Sequence, residues 1–88
     1  MKLYKLDVAN FNAFFGTDKA TRMASKQDIT MVAQFPDCSS YLFITDETYE
    51  NHVELLDSVP EGYDFTYCQA WGLDFNQTVL DRVIEDLG

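Results

Sequence analysis

The sequence predicts an α+β fold: a small antiparallel sheet of about four strands with two or three helices packed on one of its faces. Two observations predict it. Apolar residues alternate with polar ones in the first half of the chain, whereas helical spacing dominates later, and strands and helices are grouped rather than strictly alternated. With 88 residues, 47% hydrophobic content and no low-complexity linker, residues 1–88 are expected to form one domain with its own core.

The first strand is predicted at residues 3–8. Its apolar side chains alternate with Lys5 and Asp7 and would share one face: Tyr4, Leu6 and Val8. The segment 10–26 has no clear period, and a short helix is expected to begin near Thr17 or Asp18.

A hairpin is predicted next. Apolar residues alternate with polar or smaller ones and would share one face of its first strand: Ile29, Met31, Ala33 and Phe35. The breaker cluster Pro36-Asp37-Cys38-Ser39-Ser40 then precedes the apolar run YLFIT. This arrangement predicts two antiparallel strands joined by a loop of four or five residues.

Helical spacing begins at Asp46. The apolar positions recur at intervals of four and three residues, with His52 and Val59 beside them: Tyr49, Val53 and Leu56. The spacing predicts a helix over residues 47–59, ended by Pro60-Glu61-Gly62.

A fourth strand and a final helix complete the predicted elements. Aromatic residues would share one face of the strand: Tyr63, Phe65, Tyr67 and Trp71. Asp74 lies three residues before Gln77 in a capping-box arrangement, which predicts the start of a C-terminal helix. Its apolar stripe comprises Phe75, Val79, Leu80, Val83 and Leu87.

Charge is strongly segregated along the chain. From Asp28 onward there are thirteen Asp or Glu residues and a single basic residue, Arg82, for a net charge of −12, whereas the first 27 residues carry +3. Net charge governs steering and association more than topology, so this asymmetry indicates a binding partner. Acidic chains are repelled by nucleic acid and by anionic membranes, so we expect neither to be a direct partner.

The predicted helix over 47–59 would carry an acidic row along its outer side. The acidic residues are spaced three or four apart: Glu47, Glu50, Glu54, Asp57 and, just past the helix end, Glu61. An exposed helix face is often charged, but it usually mixes both signs. Four neighbouring pairs of like charge would together destabilise the helix by about 1–2 kcal/mol. The sequence therefore predicts a partner-binding function for this row.

The final helix would extend the acidic surface. Its outer residues are Asp74, Asp81 and Glu85, with Asp86 beside them. Two such rows on one face of the sheet would approach the charge density of a DNA duplex. In size and acidity the chain resembles the DNA mimics with which phages and mobile elements block restriction or CRISPR machinery. This resemblance is one of composition.

The sequence thus predicts a non-enzymatic interaction protein without a cofactor, an inhibitor that occupies a basic, nucleic-acid-binding surface of a larger protein. An immunity or antitoxin partner of a basic toxin is the alternative. The N-terminus lacks the apolar region of a signal peptide and no run could span a bilayer, so we expect a cytoplasmic location, in the host cell if a phage encodes the chain.

Other candidate sites have weaker sequence support. Cys38 and His52 would be a nucleophile and a base only if the fold brought them together, and no local signature surrounds the cysteine. With Cys68 they are three scattered ligands where a structural zinc site needs four. The thirteen aromatic residues, four of them in the predicted aromatic strand, favour core packing or a homodimer interface over base stacking.

Overall fold

Four antiparallel strands in the order β2-β3-β1-β4 form the centre of the computed structural model. The strands are β1 (Lys2–Asp7), β2 (Thr30–Gln34), β3 (Ser40–Thr45) and β4 (Glu54–Leu56). The residues that the structure describes are 1–18, 20–21, 24, 26, 28–65, 81 and 85. The predicted α+β class and antiparallel sheet are confirmed, and β4 is a strand that the sequence did not predict.

β1 lies between β3 and β4, and its register with β3 runs from Lys2 opposite Thr45 to Asp7 opposite Ser40. The predicted first strand is therefore confirmed. Its side chains serve two cores: Tyr4 and Leu6 belong to one cluster, whereas Leu3 belongs to the other. Val8 lies beyond the strand and is 50% exposed.

The predicted hairpin of β2 and β3 is also confirmed, with residues 35–39 as its loop. The backbone N–H of Phe35 donates to the Ser40 carbonyl at 2.8 Å, and Cys38 takes a positive φ of 63° in the turn. The side chain of Asp37 accepts a hydrogen bond from the Ser39 N–H at 2.9 Å. A loop of this length and composition closes the hairpin.

The predicted alternation along β2 is wrong after Met31. The register shifts between Met31 and Ala33, so that Met31 packs with one cluster while Val32 and Ala33 both join the other. A bulge adds a residue to one strand and thereby reverses the facing of the residues that follow. Alternation in the sequence alone carries no signal for this irregularity.

A 3-10 turn (Val8–Asn10) and helix α1 (Phe11–Phe15) follow β1 directly. α1 ends at Gly16, whose φ of +101° is readily adopted only by glycine and whose N–H donates to the Asn12 carbonyl at 2.8 Å. Beyond it, Asp18 accepts a hydrogen bond from the Ala20 N–H at 3.0 Å, and Ala20 is helical. The described residues Ala20, Thr21 and Ala24 are helical, in agreement with the predicted short helix near Asp18, and the others of that stretch lie outside the described residues.

The predicted helix over 47–59 is wrong: this stretch consists of irregular chain on both sides of β4. β4 pairs with the otherwise open edge of β1, with Leu55 opposite Tyr4. Tyr49 and Val53 pack on one core cluster but Leu56 on the other, which a single helix face could not achieve. The repulsion between acidic residues three or four apart in a helix also acts against that conformation.

Both faces of the sheet carry a core cluster, and α1 packs on the first of them. Tyr63 and Phe65 pack on the second cluster, and Asp64 forms a bridge with Gln34 in which both N–H groups donate, at 2.8 and 3.1 Å. The rest of the predicted aromatic strand lies outside the described residues, as does most of the predicted C-terminal helix. No helix among the described residues is long and apolar enough to cross a membrane.

Candidate functional site

The candidate interaction surface is the acidic segment, defined here as residues 46–61. It passes around the β4 edge of the sheet. Tyr49 and Val53 pack on the first core cluster, before the strand, and Leu56 and Val59 on the second, at its end and beyond. Since apolar side chains cover both cores, the acidic residues between them are left on the outside. All six are exposed: Asp46, Glu47, Glu50, Glu54, Asp57 and Glu61.

Five of the predicted partner-binding residues thus lie on one exposed segment, although not on a helix. Glu54 belongs to β4, where it pairs with Lys5 in the ladder. The other four are Glu47 and Glu50 before the strand and Asp57 and Glu61 after it. Their common surface is therefore a rim at the sheet edge, and the predicted regular spacing along one helix face is wrong.

Among the described residues, Asp46 is the one carboxylate of the acidic segment that forms an ion pair. Lys5 lies 3.7 Å from Asp7, and the Lys2 ammonium donates to the main-chain carbonyl of Asp46 at 3.0 Å. The N-terminal amine lies 3.7 Å from the Asp46 carboxylate, whose side chain is 85% exposed. Between described residues, no Lys or Arg side chain forms an ion pair with the five predicted residues of this segment. Their charge faces solvent.

Tyr49 fixes the first part of the acidic segment to the sheet. Its ring packs edge-on against Phe14 and Tyr4, at centroid distances of 5.3 and 6.1 Å. Its hydroxyl donates to the Asp28 carboxylate, with oxygen distances of 2.6 and 2.8 Å, and the Thr45 hydroxyl donates to the same carboxylate at 2.8 Å. This first part of the acidic segment is therefore attached through side chains, whereas β4 is attached through its backbone pairing with β1.

These contacts shift the ionisation of both partners. The hydrogen bond from Tyr49 lowers the pKa of the Asp28 carboxyl, helped by Thr45 and the nearby Lys26 charge and opposed by partial burial. Burial and then the Asp28 carboxylate raise the pKa of the Tyr49 hydroxyl. At neutral pH the pair is thus an ionised acceptor and a neutral donor.

Two open cavities that are lined by described residues adjoin the acidic segment. The larger, about 400 Å³, lies between α1, Lys26 and residues 48–52, and the smaller, about 240 Å³, includes Lys5, Asp7 and Glu54. His52 lines both and has a positive φ of 70°. Its predicted position at the border of an apolar helix face is wrong, because the residue is exposed and not helical. Cys38 lines neither cavity, so neither of them brings the proposed nucleophile and base together.

The remaining predicted residues belong to the C-terminal part of the chain. Asp81 and Glu85 are helical and exposed, whereas Asp74 lies outside the described residues. Sequence reasoning missed the role of Asp28, which precedes β2 and carries no local signal for a contact with Tyr49.

No protein-family model, curated protein or solved structure matches the chain.

Proposed function

We propose that this chain is a non-enzymatic interaction protein whose acidic segment binds a basic surface of a larger protein and blocks it. The observation that carries the proposal is the exposure of all six carboxylates between residues 46 and 61, a stretch without Lys or Arg. A rim rich in exposed carboxylates, held in its first part by the packing of Tyr49 against Phe14 and Tyr4, is suited to electrostatic recognition.

The number and placement of the charges favour a basic partner. Asp64 extends the series, so that residues 46–64 contain seven acidic residues and no Lys or Arg. Neighbouring exposed carboxylates reinforce one another within the Debye length, about 8 Å at physiological ionic strength. Such a field raises the rate of encounter with a positive surface and repels other acidic proteins.

A nucleic-acid-binding surface is the basic target that we propose. Such surfaces combine clustered Lys and Arg with a shape that accepts a strongly acidic ligand. In this proposal Asp81, Glu85 and Asp74 belong to a C-terminal helix that adds to the acidic surface, and the protein acts in the cytoplasm. The chain would then compete with nucleic acid, as phage-encoded DNA mimics do.

The test is capture of the partner from host lysate at low salt, using immobilised wild type and the double variant Glu50→Gln, Glu54→Gln. The substitutions retain size while removing two exposed charges. Asp37→Asn is the control, since Asp37 is an exposed carboxylate in the β2–β3 loop. A protein that the wild type and the control retain, but the double variant does not, supports the acidic segment as the contact.

A second step tests the nature of the captured surface. Adding duplex DNA should release the partner, whereas an uncharged polymer at equal mass should not. Retention of the partner in the presence of excess DNA would contradict the nucleic-acid-binding surface. A captured basic toxin that does not bind DNA would support instead the alternative of an immunity or antitoxin protein, which a toxin gene beside this one would also favour.

Association of two copies is a further part of the proposal, because the chain has thirteen aromatic residues for a small sheet. The dimer interface should exclude the acidic segment, since like charges repel one another. Sedimentation at micromolar concentration should then show a species larger than the 10.1 kDa chain. A species of 10.1 kDa alone would reject the dimer.

A further inference from the structure

The first part of the acidic segment, residues 46–53, is attached to the rest of the protein through side chains. Between described residues, no backbone-to-backbone hydrogen bond joins this stretch to the rest of the chain. Its two protein-bound N–H groups instead donate to side chains: Glu47 to the Thr45 hydroxyl and Tyr49 to the Tyr4 hydroxyl, both at 3.0 Å. We call residues 46–53 the strap.

Tyr49 is the main point of attachment. Its ring contacts aromatic rings of the first core cluster, its N–H bonds Tyr4, and its hydroxyl bonds Asp28. The Asp28 carboxylate also accepts the Thr45 hydroxyl, whose oxygen in turn accepts the Glu47 N–H. The exposed Asp28 carboxylate therefore accepts hydrogen bonds from both the Tyr49 and the Thr45 hydroxyl, and so connects the two points at which the strap is attached, Glu47 and Tyr49.

The surroundings of the strap leave room for it to move. The larger cavity lies between residues 48–52 and α1, where close-packed side chains would otherwise hold the strap down. Lys26 spans part of this space, with its ammonium 5.0 Å from the centre of the Tyr49 ring and 5.3 Å from that of Phe14. β4 follows the strap directly and fixes its far end to β1.

We infer that the strap opens and closes as one unit, with Asp28 and Tyr49 as the clasp that holds it closed over the aromatic core. Opening would expose the edges of Tyr4 and Phe14 and would move Glu47 and Glu50 away from the sheet. This conformational device is independent of what the acidic segment binds. It uses only the side-chain contacts that replace a backbone ladder in this stretch.

The hydrogen bond between Tyr49 and Asp28 should weaken at low pH. Two charged groups lie near the pair of Asp28 and Tyr49: Lys26 from the preceding turn and Glu47 from the strap. The Tyr4 hydroxyl faces the pair from β1. Glu50 and His52 line the adjacent cavity. Ionised Asp28 accepts the Tyr49 hydrogen bond more strongly than the neutral acid, so the pKa of this carboxyl lies below its usual 3.8. The closing effect is therefore full above pH 3.8 and is lost as pH falls through the lower folded-state pKa.

Hydrogen exchange of the Tyr49 amide tests the clasp, read as a protection factor so that intrinsic exchange rates cancel. Asp28→Asn keeps the shape of the side chain and removes its charge, and Tyr49→Phe keeps the ring and removes the hydroxyl. In both variants the Tyr49 amide should lose protection roughly three- to ten-fold, a change of the size expected for a partly exposed hydrogen bond. Amides of Leu42 and Phe43 in β3 should keep theirs.

Asp37→Asn is the matched control, because Asp37 also accepts a local hydrogen bond but lies in the β2–β3 loop. It should leave the Tyr49 amide unchanged. In wild type, protection of this amide should fall below pH 3.8, and in Asp28→Asn it should not depend on pH there. Unchanged Tyr49 protection in both clasp variants would overturn the inference. Equal losses in the strap and in β3 would also overturn it, since they would indicate global unfolding.

Discussion

The two faces of the sheet differ in the chemistry of their cores. One face is aromatic: Tyr4, Phe14, Phe15, Tyr41 and Phe43 pack there with Leu6, Ile29 and Met31. The other is aliphatic, with Leu3, Val32, Ala33, Leu42 and Ile44. Among the described residues, α1 and the strap pack on the aromatic face, and side chains from residues 56–65 pack on the aliphatic one.

This difference shows why the acidic segment has its path. A chain that must supply Tyr49 to one face and Leu56 to the other has to cross the edge of the sheet between them. β4 is the part of the segment that crosses the edge, and it pairs with β1 there. The acidic residues remain outside because both inward directions are occupied by apolar side chains. The acidic rim is thus a consequence of covering two cores with one segment.

The largest expected losses of stability come from truncating a buried side chain in either core. Phe43 and Leu42 are adjacent in β3, fully buried, and belong to opposite faces. Phe43→Ala should lower the free energy of unfolding by about 3–5 kcal/mol and Leu42→Ala by about 2–5 kcal/mol, measured by urea denaturation. A loss under about 1 kcal/mol for either variant would mean that its face is not a packed core.

The two tyrosine hydroxyls that attach the covering segments sharpen the comparison. The Tyr63 hydroxyl is hydrogen-bonded to Ser40, which is only 5% exposed, whereas the Tyr49 hydroxyl bonds the exposed Asp28. Tyr63→Phe should lower the free energy of unfolding by about 1–3 kcal/mol, because it removes a partner from a buried polar group. Tyr49→Phe should lower it by less, about 0.5–1.5 kcal/mol, since water can solvate Asp28. The reverse order in urea denaturation would contradict this view of the two attachments.

Protonation of Asp28 at low pH should lower the stability of the protein, because it weakens the contact with Tyr49 on the aromatic face. Because the pKa of this carboxyl is lowered in the folded state, its stabilisation is present above the unfolded value of 3.8 and disappears below the folded one. Wild type should therefore exceed Asp28→Asn in thermal midpoint at neutral pH, and the gap should narrow at pH below 3.8. A gap independent of pH would assign the effect of the variant to packing instead of ionisation.

The smallest stability effect is expected for the exposed acidic residues. Replacing Glu50 and Glu54 by Gln should change the free energy of unfolding by no more than about 0.5 kcal/mol, as is usual for surface substitutions. Backbone chemical shifts of residues 47–59 in wild type give a direct check on the conformation. Helical shifts throughout this stretch would contradict the non-helical path.

The sequence predicts the structure correctly where the local pattern of apolar residues matches the face on which they pack. Alternation in β1 and the breaker cluster before Ser40 predicted β1 and the β2–β3 hairpin correctly, since local pattern and tertiary packing agree there. The stretch 47–59 was predicted wrongly because its apolar residues serve two faces while happening to have helical spacing. Its edge pairing with β1 is a long-range contact that no local window contains.

The candidate site shows the same division. The acidic residues could be chosen from the sequence because their exposure follows from charge, whatever the backbone conformation. Their arrangement as a rim could not, and neither could the contact between Asp28 and Tyr49, which lie 21 residues apart. From the sequence alone, the repulsion expected in a helix indicates a function for the acidic residues. In the folded chain it is instead a reason for the segment to avoid a helix.

The central proposal, recognition of a basic surface by the acidic segment, is tested most directly by the affinity for the captured partner at two salt concentrations. At low salt, Glu50→Gln with Glu54→Gln should weaken binding by at least about ten-fold relative to wild type, with Asp37→Asn unchanged. At about 0.5 M salt, screening should weaken wild-type binding and reduce the difference between the variants. Equal affinity of the double variant and wild type at low salt would contradict the proposal.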